Sequence, residues 1–144
     1  MTPEAKHADI IERNVEKTNL WLNDLADELE TDDRQAAYRV LRAFLHAVRD
    51  RLTVDEAAQL AAQLPDLIRG IYYEGWDPSR TPLTYRSLDE FLRRVADEAL
   101  LAGETEASYA ATAAARVLHR HVSEGELQDV AGMLPKGLRS VVAG

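Results

Sequence analysis

His46-Ala47-Val48-Arg49-Asp50-Arg51-Leu52-Thr53-Val54-Asp55-Glu56, continuing through Gln63-Leu64-Pro65 to Arg69-Gly70-Ile71-Tyr72-Tyr73-Glu74-Gly75-Trp76, decides how this chain is read. Its first part ends an amphipathic helix. Val40, Leu41, Phe44, Leu45, Val48 and Leu52 share one arc, and Arg39, Arg42, His46, Arg49 and Asp50 form a largely basic outer stripe opposite. Thr53-Val54-Asp55-Glu56 then spells a capping box, the hydroxyl accepting from the Glu56 amide while the carboxylate reaches back to the Thr53 amide. The next helix therefore opens at once, with a shallow face of Ala57, Leu60, Ala61 and Leu64. Pro65 disfavours a helical Leu64 but suits the first turn of a new helix, so a corner falls there and a short helix carries Leu67, Ile68, Ile71 and Tyr72.

Upstream, residues 1–14 read as a helical lead-in in which Ile10 and Ile11 supply apolar surface. Val15, Thr18, Leu22, Leu25 and Leu29 then give one stripe of a helix ending near Glu30, and Thr31-Asp32-Asp33 offers N-cap oxygens to its successor. Downstream, Gly75, Asp77-Pro78-Ser79 and Thr81-Pro82 break the periodicity and mark residues 75–86 as a linker. Ser87-Leu88-Asp89-Glu90 is a second capping box, opening a helix with Leu88, Phe91, Leu92, Val95 and Ala99 on one side.

A shift of 70 residues lays Trp21-Leu22 on Phe91-Leu92 and Leu25-Ala26-Asp27-Glu28 on Val95-Ala96-Asp97-Glu98 without a gap. It also lays Leu52 on Val122, Thr53/Glu56 on Ser123/Glu126, and Leu64-Pro65 with Arg69 on Leu134-Pro135 with Arg139. Caps, corner and core positions agreeing together identify an internal repeat. The expected fold is all-α: two pseudo-symmetric four-helix units, residues 15–74 and 87–144, packed as one domain over 1–144. The copies differ where Val40, Leu41, Phe44 and Leu45 meet Ala110, Ala111, Ala114 and Ala115, which predicts that the second basic helix, around Ser108 to Val122, sits in the crowded centre. The last helix, Lys136 to Val142, carries Gly137 and is expected to fray.

Composition narrows the chemistry. The chain has 144 residues, enough for a core without staples, and no cysteine, so disulfides, thiolate nucleophiles and zinc-thiolate sites are excluded. A reducing cytoplasm is the natural compartment. No uncharged apolar run approaches the roughly 18–20 residues of a membrane span, and the N-terminus has no leader-like core, so a soluble, unprocessed protein is expected. The net charge of -8 opposes nucleic acid.

Four blocks resemble the family catalogued as domain of unknown function 2267: Glu16-Lys17-Thr18 to Trp21-Leu22, Val48-Arg49-Asp50-Arg51-Leu52, Ala61-Ala62-Gln63-Leu64-Pro65, and the Arg69-to-Trp76 tail. The similarity covers nearly the whole chain. It implies a compact bundle of duplicated helical units in a bacterial cytoplasm, and no activity.

Candidate chemistry concentrates on the polar stripe. His46, Arg49 and Asp50 lie at i, i+3 and i+4 of one helix face, where they can form an anion or carboxylate site or a salt-bridge lattice. Under the shift His46 meets Arg116 and Arg49 meets His119, so a His/Arg pair recurs with its order reversed and can line a seam between the units. Tyr72, Tyr73, Trp76 and Tyr85 can line a cleft or pin the linker to the bundle. The residues of a candidate ligand site are thus His46, Arg49, Asp50, Arg69, Tyr72, Trp76, Arg116 and His119. His119 and His121 point about 200° apart and cannot share a metal ion. The neighbouring carboxylates Asp27-Glu28 and Asp97-Glu98 read as solvated. No Gly-x-Ser-x-Gly elbow, P-loop or dinucleotide fingerprint is present, so no catalytic residue, metal or cofactor is assigned. The leading expectation is a non-catalytic interaction or regulatory module acting through self-association or a protein partner, the alternative a small-molecule or anion binder using the stripe and aromatics.

Overall fold

The computed structural model describes residues 3–143, with side chains from Asp9 onward; the outermost residues of the lead-in and of the second repeat, 1–2 and 144, lie outside it. Among the described residues every regular element is helical: α1 Pro3–Glu28, α2 Arg34–Arg49, α3 Val54–Ala61, α4 Asp66–Tyr73, α5 Leu88–Ala99, α6 Glu104–His121, α7 Glu124–Met133 and α8 Ser140–Ala143, with short 3-10 turns at Pro78–Arg80 and Lys136–Leu138. None of these helices is long and apolar enough to cross a membrane.

The caps that define the helices are those the side chains can chemically make. Asp33 accepts from the amides of Gln35 at 3.0 Å and Ala36 at 3.2 Å, starting α2. Thr53 and Glu56 close both bonds of the capping box, at 3.2 and 2.9 Å. Ser87 and Ser123 accept from the amides of Glu90 and Glu126. Each cap contributes about 1 kcal/mol.

α2 and α6 are central: α2 packs on α1, α4, α5 and α6, and α6 on α1, α2, α5 and α8. Phe44 meets Phe91 edge-on across the α2–α5 contact, with centroids 5.8 Å apart. The alanines at 107, 110, 111, 113, 114 and 115 of α6 are all buried, small enough to admit four neighbours around one helix. Elements recur at the shift as well. α2, α3 and Pro65 begin at Arg34, Val54 and 65, and α6, α7 and Pro135 begin 70 positions later. α1 and α5 both end on a left-handed residue, Glu30 (φ 56°) and Leu100 (φ 60°), and the next amide returns to the helix as Thr31 N–H to Ala26 O and Leu101 N–H to Ala96 O, 3.0 and 2.9 Å.

Four expectations change. The lead-in is not a separate element but the first half of α1, and Val15, placed on the core stripe by periodicity, is 45% exposed. α5, the counterpart of the second half of α1, starts only at Leu88, so nothing in the second half matches residues 3–17. His46 and Arg49 are not on an outer surface: they are 5% and 4% exposed, because α4 and α5 pack over that side of α2. The last helix is a 3-10 turn at 136–138 followed by one α-turn. A Cβ on Gly137 would lie 3.0 Å from the Arg86 carbonyl, so this turn is pressed against the end of the linker.

That linker is strapped down. Leu83 N–H donates to Asp50 O at 2.7 Å, Thr81 Oγ1 to Leu52 O at 2.8 Å, Arg51 to Leu83 O, and the Tyr85 hydroxyl to Ala47 O.

Candidate functional site

Helix α2 brings His46, Arg49 and Asp50 together as its i, i+3, i+4 spacing requires, and α4 delivers the backbone they bind. His46 presents Nε2 to Ile71 O at 2.7 Å and Nδ1 to Glu98 Oε1 of α5 at 3.0 Å. The ring is thus held between a backbone carbonyl on one side and a carboxylate on the other. Arg49 donates through Nη1 to Tyr72 O at 2.9 Å and Glu74 O at 2.8 Å, and through Nε and Nη2 to Asp50 Oδ1, both 2.8 Å. Its fork thus caps the carbonyls left open at the end of α4. Arg42 bridges Glu74 at 2.7 Å and Glu98 at 3.4 Å. The hydrogen bond that Arg42 donates to Glu74 is the main cause holding its guanidinium above the ordinary pKa.

Burial alone would raise the Glu98 carboxyl, but the hydrogen bond and charge of His46, with Arg42 and Arg49, outweigh it and hold Glu98 below the usual carboxylate range. The two aromatic hydroxyls under this region behave oppositely: burial pushes the Tyr72 and Tyr85 phenols well above their ordinary pKa. Tyr72 OH donates to Ala57 O at 2.9 Å, tying α4 to α3.

The other proposed ligand residues lie elsewhere. Arg69 caps the α3–α4 corner through Ala61 O and Leu64 O, at 2.8 and 2.9 Å. Trp76 is half-buried against Tyr73, centroids 5.1 Å apart. Arg116 pairs with Glu28 of α1 at 3.4 Å, and His119 meets Val142 O at 2.9 Å. The eight residues therefore do not line one cleft. What the structure assembles instead is two seams. His46 meets Glu98 across α2–α5, while Arg116, 70 positions after His46, meets Glu28, 70 positions before Glu98, across α1–α6. His119 likewise serves the carbonyl of residue 142 as Arg49 serves that of residue 72.

Sequence reasoning missed Glu28 and Glu98, reading them as solvated; both lie against basic partners, with side chains 13% and 32% exposed. The signal available was the shift, which aligns the two glutamates as it aligns His46 with Arg116. It also missed Asp24, which meets His121 Nε2 at 2.7 Å while that imidazole stacks on Trp21 at 4.8 Å. A polar hollow of about 270 Å³, lined by Arg49, Asp50, Asp77, Arg80, Thr81 and Arg94, opens beside the first seam. Among the described residues no group of three or more His, Asp or Glu side chains is placed to hold a metal ion.

No curated protein matches this chain. A family model matches residues 18–141, which takes in both seams and both corners, and the chain therefore belongs to the family described as Uncharacterized conserved protein (DUF2267).

Proposed function

We propose that this protein is a non-catalytic interaction or regulatory module, working through self-association or a protein partner. The observation that carries the reading is the first half of α1. Ile10, Ile11, Val15 and Leu20 are 52%, 64%, 45% and 52% exposed on that helix, and residues 9–13 are exposed without a break. Ile11 and Val15 continue, outward, the stripe that Leu22 and Leu25 bury. A soluble chain gains from covering such a surface, and a partner helix or groove is the ordinary means.

The seams support the same reading, because His46, Arg49 and Arg69 spend their donors on backbone carbonyls of their own chain. They also support two pseudo-symmetric four-helix units, residues 15–74 and 87–144, as does the recurrence of element starts and left-handed ends. The alternative, an anion binder, is favoured by the polar hollow beside Arg49, whose Arg80 and Arg94 lie on its wall. A cysteine-free chain fits a bacterial cytoplasm, and its charge argues against nucleic acid as partner.

Sedimentation equilibrium tests the proposal, with the wild-type chain beside an Ile11→Asp/Val15→Asp variant and with capture of cellular partners by each. Self-association or a retained partner lost in the variant is expected. A monomeric wild type whose captured partners are unchanged in the variant overturns it.

A further inference from the structure

The polar hollow at the end of α2 is walled by three different parts of the chain. Arg49 and Asp50 come from α2, Asp77, Arg80 and Thr81 from the strapped linker, and Arg94 from α5. It shares Asp50 and Arg94 with a smaller hollow of about 190 Å³ that reaches His46 and Glu98. The carboxylates on its wall are already engaged. Asp50 Oδ1 accepts from both Nε and Nη2 of Arg49, and Asp77 Oδ1 accepts from the amide and hydroxyl of Ser79 at 3.0 and 2.6 Å. The glutamates one turn from Arg94 along α5 are turned elsewhere, Glu90 to the Ser87 hydroxyl at 3.3 Å and Glu98 to His46 and Arg42. Among the described residues Arg80 and Arg94 are thus left without an ion pair. In a chain of net charge -8, this hollow gathers the cations Arg49, Arg80 and Arg94 against the carboxylates Asp50 and Asp77.

The other seam shows that helix packing does not require this surplus. Seventy positions from Arg94 and Arg51 stand Asp24 and His121, which close on each other at 2.7 Å beside Trp21. In the first half both positions are cations. The guanidinium carbons of Arg94 and Arg51 lie 4.7 and 5.9 Å from the centre of one ring, that of Tyr85, and Arg51 Nε is buried without an acceptor. Like charges gathered on one phenol repel. Conflicts of this kind persist in folded chains chiefly at binding sites.

We propose, building on the anion-binding alternative above, that this hollow binds a phosphate group, free or as the monoester of a small molecule. Arg80 and Arg94 reach it from separate elements, so the oxygens they take must point in different directions. A tetrahedral dianion offers such oxygens and a charge that two guanidinium forks can share, whereas a planar carboxylate is satisfied by one. Both forks are held in advance. Arg94 rests on the Tyr85 ring, itself fixed to Ala47 O, and Arg80 ends a turn that Asp77 caps and Thr81 ties to Leu52 O. At about 270 Å³ the hollow is smaller than the roughly 300–1,000 Å³ of drug-sized ligands, which limits an ester to a few atoms beyond the phosphate. The smaller hollow beside it gives those atoms a place.

The test is a titration read from backbone amide shifts by two-dimensional NMR, with chloride balancing the ionic strength so that general screening is constant. Inorganic phosphate, glycerol 1-phosphate and malonate are each added to the wild type, Arg80→Gln, Arg94→Gln and Arg93→Gln. Arg93 is the control, an exposed arginine next to Arg94 that does not line the hollow. Expected is saturable binding of phosphate or its ester, with shifts centred on Asp50, Arg80 and Thr81. Affinity should fall by about tenfold in Arg80→Gln and in Arg94→Gln and hold in Arg93→Gln. Tighter binding of the ester identifies a monoester as the ligand, and equal binding the free ion. Far-ultraviolet dichroism establishes that each variant is folded, and Arg94→Lys, which loses the fork but keeps the charge, replaces Arg94→Gln if it is not. Saturable malonate binding with no response to either phosphate compound overturns the phosphate group and leaves the anion reading standing. Shifts that never saturate, or that weaken equally in Arg93→Gln, overturn the site and the anion reading together, and the α1 reading is tested apart from both by partner capture.

Discussion

Replacing Arg49 with methionine keeps the packing of its stem and removes its fork. Two carbonyls, Tyr72 O and Glu74 O, then lose a charged donor at 2.9 and 2.8 Å, and Asp50 loses its ion pair. Arg49 is 4% exposed, so water does not replace the guanidinium in place. A buried acceptor left open costs about 1–3 kcal/mol, and breaking a buried pair from one side costs about 3–5 kcal/mol. Asp50 is partly solvated and recovers some of that, so the loss should be about 4 kcal/mol. Set against roughly 7–20 kcal/mol for a chain of this size, this is a large fraction. In urea, with a slope of about 2 kcal/mol/M, the midpoint should fall by about 2 M with the slope unchanged. His119→Leu removes one bond, to Val142 O, next to the end of the chain, and should cost about 1 kcal/mol. If Arg49→Met shifts the midpoint by less than about 0.3 M, the end of α4 is hydrated without the fork, and the argument that Arg49 is a strut is wrong.

Other consequences are equally open to measurement. The Glu98 carboxyl is held below its ordinary range, so its contribution is present above about pH 4.3 and is lost as pH falls through the folded value; the wild-type urea midpoint should drop more steeply below that pH than that of Glu98→Gln. Tyr72 and Tyr85 are held neutral by burial, a contribution complete below the ordinary phenol value of about 10 and lost as pH climbs from there. Their share of the phenolate absorbance should rise only with the loss of helical dichroism, and that late share should shrink in Tyr72→Phe and Tyr85→Phe. Leu100 is left-handed and 76% exposed, so Leu100→Gly should stabilise the chain by about 0.5–1 kcal/mol in thermal unfolding, an effect absent if the α5 end frays before it melts.

Most of the helices could be read from the chain because their ends are written in local chemistry. Thr53-Val54-Asp55-Glu56 and Leu64-Pro65 each act within four residues, and the turns they make follow from that. The face that α2 buries was harder. Periodicity places His46 and Arg49 opposite Phe44 and Leu45, and only the packing of α4 and α5 from the second side makes that face interior. The sequence carries no mark of a helix covered on two sides by different neighbours. The seam glutamates were hidden for a related reason, since Glu28 and Glu98 sit beside Asp27 and Asp97 in chain order and differ from them only in what lies across the interface. Val15 falls on the core stripe by periodicity because Val15, Thr18 and Leu22 are continuous, yet it is 45% exposed because the bundle covers that stripe only further along α1.

The belt of bonds from Thr81, Leu83 and Tyr85 onto the end of α2 bears on where the polypeptide can be opened. Asp77 to Arg80 stand outside that belt and are exposed, so a protease has its easiest purchase there. A nick at that point would leave the downstream piece still tethered through Leu83 to Asp50, and both fragments should migrate together until denatured. A cut at Ser79 gives up the bonds that its amide and hydroxyl donate to Asp77 and leaves the caps of α2, α3, α5 and α7, both corners and both seams in place.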